Sequence, residues 1–243
     1  MHIIKLSAID STNTYLKTLC AEMPVDDYTV VITENQTKGR GQMGSVWNSQ
    51  SSKNLIFSVF KSLSCFEIQY PFYISMVASL AVVKALEGFD IPKLNVKWPN
   101  DILSENKKVC GILIENAIKQ GRYASSIIGM GLNVNQTEFE NLPKASSLKL
   151  ITGKTFDLEE LAHRIIKQLQ TYFELLRQSK LEVLKEEYES YLFRKNKPST
   201  FKNAEGFMFS GIIKSVSDTG MLQVALEDNL IKEFDLKTIT LLY

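Results

Sequence analysis

The spacing of apolar residues along the chain predicts four helices. In each of them apolar side chains recur every three or four residues, which places them on one face of a helix. The four segments are residues 14–21, 71–88, 157–176 and 179–193. Short polar side chains at residues 10–13, at Asp157 and at Ser179 are expected to cap the starts of their helices. Pro71 and Gly88 suit the two ends of the second helix.

Short runs of β-branched and other apolar residues predict strands where turn residues bound them. These runs are residues 28–33, 54–60, 94–98, 109–117 and 123–134. The last two are joined at Gln120-Gly121, a pair typical of a tight hairpin turn. After a linker at residues 196–199, the chain changes to short strands with turns at residues 218–220 and 227–229. This pattern is typical of a compact β-barrel.

This order of elements predicts an α+β fold built from two parts. Residues 1–194 are expected to form a mixed β-sheet flanked by helices, and residues 195–243 a small β domain. Because a module of that size buries little surface on its own, we expect it to gain stability by docking on the larger part.

Composition limits the kinds of function that the chain can have. Its 243 residues are 44% hydrophobic and 23% charged and carry a net charge of +1, so no overall field attracts the chain to nucleic acid or to a membrane. The start lacks the apolar segment of a secretory signal, and no apolar run reaches the roughly 20 residues of a membrane span. Three irregularly spaced cysteines and two histidines match neither a disulfide framework nor a zinc pattern. We therefore expect a soluble protein of the reducing cytoplasm.

A glycine-rich loop begins at Gly39. The string Gly39-Arg40-Gly41-Gln42-Met43-Gly44 matches G-x-G-x-x-G, but it neither leaves a strand directly nor opens a helix, so a dinucleotide site is rejected. Glycines let backbone N–H groups approach anionic oxygens, and Arg40 and Lys38 add positive charge. Trp47 offers a flat face for a purine. The alternative is a mobile surface loop whose composition is due to chance.

The segment Lys97-Trp98-Pro99-Asn100-Asp101 combines a strand end with a turn. A lysine there can neutralise phosphate, and an aspartate can hold the Mg²⁺ that accompanies ATP. The alternative is an ordinary turn with a capping aspartate. Lys108 follows, and Gly111, Gly129 and Gly131 interrupt apolar strands. Such glycines mark either the close approach of a ligand or a β-bulge.

Four segments together resemble the biotin–protein ligases. They are Ser11-Thr12-Asn13, the loop 39–44 with Trp47, the segment 97–101 followed by 108–113, and residues 129–133. The resemblance covers nearly the whole chain. It implies a class II synthetase-like mixed sheet flanked by helices, with a small C-terminal SH3-like β-barrel. It also implies the activity of a biotin–[acetyl-CoA-carboxylase] ligase. Such an enzyme activates biotin with ATP to biotinyl-5′-AMP and transfers biotin to a lysine of a biotin carboxyl carrier protein.

The resemblance also implies roles for individual residues. Biotin would be bound by Ser11, Thr12, Asn13, Gln36, Arg40, Gly41, Lys108 and Gly111. ATP and the adenylate would be bound by Arg40, Trp47, Lys97, Asn100, Gly131 and Asn133. The catalytic residues would be Lys108, Arg40 and Asp101, with Asp101 also as a ligand for Mg²⁺. The ureido ring of biotin is rigid and polar. Its binding therefore needs several fixed hydrogen-bond donors and acceptors, which a helix start supplies.

The same resemblance sets expectations for partners. We expect biotin, ATP and a carrier domain as partners, and the resemblance leaves both a monomer and a homodimer open. We expect no DNA binding, because the ligand motif begins at Ser11 and leaves no room for a preceding DNA-binding domain. Two alternatives stay open. One is a related ligase for lipoate or an octanoyl group, and the other is a catalytically silent biotin-binding module.

The loop departs from the family's most basic pattern. Members often carry arginines after the second glycine, whereas Gln42, Met43 and Ser45 stand here. With fewer cations to hold the phosphate, we expect this chain to release biotinyl-adenylate faster than arginine-rich relatives do. A side-by-side measurement of release rates checks this, and equal rates would contradict it.

Overall fold

The computed structural model describes residues 2–140, 142–227 and 230–243. In these residues a seven-stranded mixed sheet follows the order β1-β2-β3-β7-β6-β5-β4. Its strands are β1 (His2–Ile9), β2 (Thr29–Gln36), β3 (Leu55–Ser62), β4 (Leu94–Lys97), β5 (Asp101–Ser104), β6 (Lys107–Lys119) and β7 (Arg122–Leu132). Among the neighbouring strands of this sheet in the described residues, β1 and β2 run parallel, and all other neighbours run antiparallel.

A second, five-stranded antiparallel sheet lies at the C-terminal end, with the order β11-β10-β9-β8-β12 among the described residues. Its strands are β8 (Pro198–Asn203), β9 (Met208–Val216), β10 (Leu222–Ala225), β11 (Ile231–Phe234) and β12 (Ile239–Leu242). The predicted linker is shorter than expected, because β8 begins at Pro198. The predicted turn at residues 227–229 includes Asp228 and Asn229, which lie outside the described residues.

Five α-helices are present in the described part of the chain. They are α1 (Thr12–Glu22), α2 (Phe72–Glu87), α3 (Leu148–Thr152), α4 (Leu158–Arg177) and α5 (Leu181–Ser190). The ends of α2 match the prediction, with Pro71 and Gly88 as its caps. The helix is buried on almost every side, because it packs between the large sheet and α4 and α5. Within the described part, none of the helices combines the length and apolar character needed to cross a bilayer.

The cap predicted at Asp157 is confirmed and the one at Ser179 is wrong. Asp157 accepts hydrogen bonds from the amides of Glu159 (2.8 Å) and Glu160 (2.9 Å). Ser179 instead has a φ of 55°, and α5 begins after Lys180. The left-handed residue ends α4, because the Lys180 amide then bonds back to a carbonyl of the last turn.

The hairpin predicted at Gln120-Gly121 is confirmed. Both residues have positive φ, 50° and 74°, as the favoured two-residue hairpin turn requires. The register of β6 against β7 then runs without a break from Cys110 to Ala117, with Gly111 opposite Gly131. A β-bulge at Gly111, Gly129 or Gly131, the alternative explanation of these glycines, is therefore wrong, because all three lie in regularly paired parts of their strands.

The two sheets meet through a few specific contacts. Trp98 Nε1 donates to the carbonyl of Gly220 at 2.9 Å, and the Tyr73 hydroxyl donates to Asp218 at 2.9 Å. Lys185 of α5 forms an ion pair with the same carboxylate at 2.9 Å. The C-terminal sheet is thereby fixed beside the turn that follows β4.

Candidate active site

A cavity of about 330 Å³ opens on the face of the large sheet, between the start of α1 and the glycine-rich loop. Every residue for which a site role was predicted lines this cavity, with the exception of Asn133. The lining members are Ser11, Thr12, Asn13, Gln36, Arg40, Gly41, Trp47, Lys97, Asn100, Asp101, Lys108, Gly111 and Gly131. Segments far apart in the sequence thus form one concave surface.

The start of the helix α1 is held by a side chain from the strand β2. Gln36, at the end of β2, accepts a hydrogen bond from the Thr12 amide at 2.9 Å and another from the Thr12 hydroxyl at 3.1 Å. Ser11 occupies the N-cap position, but its side chain makes no capping bond. The helix start predicted at residues 10–13 is therefore confirmed, but Gln36 and not the Ser11 side chain accepts from the free amide of Thr12. As a consequence, the Ser11 hydroxyl is available at the cavity wall.

Asn13 is buried beneath this end of the cavity, with 3% of its surface exposed. Its Oδ1 lies 2.6 Å from the Ser58 hydroxyl, which is also 2.7 Å from the Thr12 hydroxyl. Its Nδ2 donates to Glu115 at 2.8 Å and to the carbonyl of Leu113 at 3.3 Å. Both ends of the Asn13 amide are therefore fixed by the protein, which makes this end of the cavity rigid and polar.

The glycine-rich loop (residues 37–47) folds over the sheet through its own backbone bonds. The amide of Gly41 donates to the Ser45 carbonyl at 2.7 Å, and the amide of Trp47 donates to the Gly39 carbonyl at 3.0 Å. Residues 42–44 form one 3-10 turn, in which Met43 has a φ of 55°. The loop therefore has a defined shape rather than a regular helix, in agreement with the rejected dinucleotide site.

Trp47 explains why the strands beneath it carry glycine. A Cβ atom added at Gly131 would lie 2.5 Å from the Trp47 ring, and one at Gly111 would lie 3.1 Å from it. The indole thus lies flat on bare backbone. Its Nε1 is buried and has no hydrogen-bond partner among the described residues.

Positive charge gathers at the other end of the cavity, around Asp101. Lys108 Nζ lies 2.6 Å from Asp101 Oδ1, and Lys97 Nζ lies 3.6 Å from Oδ2. Asp101 opens β5 directly after the turn, where its backbone pairs with Lys97 and with Gly111. The Asn100 side chain donates to the carbonyl of Ile112 and so fastens this turn to β6. Two ammonium groups therefore face one carboxylate at the cavity wall.

Neighbouring titratable groups stay neutral. Burial raises the pKa of the Cys110 thiol to about 12, and the charge of Lys108 only partly opposes this. Burial, followed by the charge of Asp101, raises the pKa of Tyr243, whose ring lies 5.6 Å from Lys97 Nζ. The charge of this end therefore comes from the lysines and Asp101.

The surroundings of Asp101 do not fit a magnesium ion held by the protein alone. Both of its oxygens face lysine ammonium groups, and the described residues contain no cluster of three His, Cys, Asp or Glu side chains that suits a metal. A protein-held Mg²⁺ needs several oxygen ligands. Asp101 therefore pairs with the two lysines rather than with a metal held by the protein alone.

Asn133 lies below the cavity floor. It is 4% exposed, and its Nδ2 donates to the carbonyl of Ser146 at 3.1 Å. A direct contact with adenine stays a prediction. Some residues that the motifs do not indicate also belong to the site: Ile56 and Leu236, the latter in the turn between β11 and β12, line it, and Ser58 and Glu115 hold its lining residues. Ser58 carries a signal in the sequence, because a serine inside the apolar run 55–60 requires a buried partner.

The arrangement suits two joined ligands of different character. The end at the start of α1 offers fixed polar groups for a polar ring. The other end offers Lys97 and Lys108 for anionic groups, and Arg40, paired with Glu115 beside the start of α1, adds a third cation to the cavity lining. Such cations offset the repulsion between a carboxylate and a phosphate and stabilise the charge that develops when the two react.

Comparison with known proteins finds similarity to one family of protein ligases. The sequence model of the biotin/lipoate A/B protein ligase family matches residues 6–133. Over 170 residues the chain is 33% identical to the bifunctional ligase/repressor BirA of Bacillus spizizenii, which covers 68% of this chain and 51% of the relative. Over 163 residues it is 33% identical to the biotin–[acetyl-CoA-carboxylase] ligase of Mycobacterium tuberculosis, which covers 66% of this chain and 59% of the relative. The chain thus spans about half of the length of such relatives.

A solved structure extends the similarity to the whole described fold. The biotin protein ligase from Aquifex aeolicus, determined in complex with biotin and ATP, has a TM-score of 0.82 and 31% sequence identity. The similarity covers 99% of this chain and 98% of that protein.

Proposed function

Since the chain belongs to the biotin/lipoate A/B protein ligase family, we propose that it is an ATP-dependent biotin–protein ligase of the cytoplasm. It activates biotin as biotinyl-5′-AMP and transfers the biotinyl group to a lysine of a biotin carboxyl carrier protein. The observation that carries this proposal is that one cavity joins a rigid polar end at the start of α1 to an end lined by two lysines. The A. aeolicus relative with biotin and ATP bound supports the choice of ligands.

The first step joins the carboxylate of biotin to the α-phosphorus of ATP. A carboxylate oxygen attacks phosphorus, the bond to the β-phosphate oxygen breaks, and pyrophosphate leaves with the electron pair. We assign Lys108 to the biotin carboxylate, Arg40 to the carboxylate and α-phosphate, and Lys97 to the departing phosphates. Asp101 orients both lysines, as its distances of 2.6 and 3.6 Å to them indicate.

The second step transfers the acyl group. The carrier amine attacks the acyl carbon, AMP leaves with the electrons of the broken anhydride bond, and the amine loses a proton. Asp101 is the carboxylate among the cavity-lining residues, and we assign it as the proton acceptor. Closing the glycine-rich loop excludes water from the mixed anhydride, which water would otherwise hydrolyse.

We also propose that the chain consists of two domains with different roles. Residues 1–194 form the catalytic domain, and residues 195–243 form a small SH3-like β domain. The five antiparallel strands of the C-terminal sheet support this division. Leu236 supports a contribution of the second part to the phosphate end, because it lines the cavity together with Lys97.

We expect the purified protein to exchange labelled pyrophosphate into ATP when biotin is present and not when lipoate or octanoate replaces it. The physical reason is that the Ser11 hydroxyl, which makes no capping bond, can pair with a polar ring, whereas a simple acyl chain would bury it without a partner. Isotope exchange, followed by ATP-dependent labelling of a carrier domain, measures this. Exchange with lipoate alone would indicate a lipoate-type ligase. Biotin binding without any exchange would indicate a silent binding module.

A further inference from the structure

Glu115 joins two parts of the site that the predicted roles leave separate. It lies on β6 and points to the same face as Gly111 and Leu113, since alternate residues of a strand share a face. Its Oε2 accepts a hydrogen bond from Asn13 Nδ2 at 2.8 Å and one from Arg40 Nη2 at 3.1 Å. The Glu115 side chain is 28% exposed, so this carboxylate is partly shielded from solvent.

We propose that Glu115 is a positioning residue that holds Arg40, and with it the glycine-rich loop, against the start of α1 before any ligand binds. This rests on the proposed function for its catalytic consequence. Among the described residues, Arg40 makes its side-chain hydrogen bonds through Nη2 alone, to Glu115 and to the hydroxyl of Thr14 at 3.2 Å. A guanidinium has five N–H donors. The other donors stay available for a carboxylate or phosphate, so Glu115 orients Arg40 without replacing the ligand.

The two contacts of Glu115 can be separated by substitution. Glu115→Gln retains an oxygen that accepts from Asn13 but removes the negative charge that attracts Arg40. Glu115→Ala removes both contacts and leaves the buried Asn13 amide without one partner. Glu105→Gln is the matched control, because Glu105 also forms an ion pair (with Lys93, 3.0 Å) but lies away from the cavity lining.

Hydrogen exchange on the unliganded protein tests the proposal without any catalytic readout. We expect Glu115→Gln to speed exchange at the Gly41 and Trp47 amides about five- to tenfold, as loss of a partly shielded charged hydrogen bond predicts. Exchange in β7 and α2 should stay unchanged, and Glu105→Gln should match the parent. Unchanged exchange in the loop, or an equal rise throughout the protein, would overturn the proposal.

The ligand-bound state tests the consequence. We expect Glu115→Gln to release biotinyl-adenylate about five- to tenfold faster than the parent, because Arg40 is no longer held in place, and Glu115→Ala to weaken biotin binding more than Glu115→Gln does, because it also removes the acceptor for Asn13. Parental release of biotinyl-adenylate by Glu115→Gln would assign Glu115 to Asn13 alone and overturn its role toward Arg40. If the parent forms no adenylate, the proposed function fails, while the exchange experiment still decides the role of Glu115.

Discussion

Lys108→Ala is expected to slow the formation of biotinyl-adenylate by about 10²–10³-fold, which corresponds to roughly 3–4 kcal/mol of lost transition-state stabilisation. Lys108 lines the cavity, and its Nζ lies 2.6 Å from Asp101 and 5.7 Å from the Trp47 ring. The substitution removes one cation and leaves the negative charge of Asp101 less compensated, so both changes oppose the approach of two anions. Single-turnover formation of adenylate from biotin and ATP measures the effect.

The neighbouring lysine provides the control for this experiment. Lys107 is exposed, and its Nζ donates to the carbonyl of Pro143, away from the cavity. We therefore expect Lys107→Ala to react at the parental rate. The loss in Lys108→Ala should fall chiefly on adenylate formation, with a smaller effect on transfer from preformed adenylate. Near-normal adenylation in Lys108→Ala would remove this residue from the mechanism.

Gly129→Ala is expected to weaken biotin binding by about 10²-fold. A Cβ atom at Gly129 would lie 2.3 Å from Asn13 Oδ1. Asn13 cannot move away easily, because Ser58 and Glu115 hold its two ends and it is 3% exposed. Displacing the amide breaks buried hydrogen bonds worth about 1–3 kcal/mol each, and every 1.4 kcal/mol is a factor of about ten in affinity. Titration calorimetry with biotin measures the loss.

A second glycine separates this steric effect from a general effect of alanine. Gly88 caps α2 with a φ of −65°, and a Cβ atom there would lie 3.3 Å from the nearest atom, the Ala85 carbonyl oxygen. Gly88→Ala should therefore bind biotin like the parent. Melting curves of both variants establish that they are folded. Parental affinity in Gly129→Ala would show that Asn13 does not shape the ligand site.

Local sequence pattern identifies the elements whose burial is strong and periodic. The helix α2 is predicted with its caps, because an apolar segment of 16 residues between Pro71 and Gly88 is too long for a typical strand and suits a buried helix. The strand β1 is not predicted, since it lies at the sheet edge with most positions partly exposed, and its partner β2 begins 27 residues after it. The strands and helices of only four or five residues, β5 and α3, are too short to show a period.

The sequence indicates the charged residues of the site better than it indicates the contacts that hold them in place. The motifs indicate Arg40, Lys108 and Asp101, and the structure places all three around one cavity. No local pattern predicts that Gln36 holds the start of α1 or that Glu115 bridges Asn13 and Arg40. These contacts join residues 24 to 102 positions apart, so they depend on the register of the whole sheet.

The indole of Trp47 covers two glycines of the large sheet. By lying on Gly111 and Gly131 it keeps solvent from bare backbone, yet its buried N–H lacks an acceptor among the described residues. An unpaired buried donor costs about 1–3 kcal/mol, which offsets much of what the apolar contact contributes. A flat ligand that offers an acceptor to this N–H is therefore expected to restore the missing hydrogen bond while the ring stays on the two glycines. The same side chain would then cover the strands and orient the ligand.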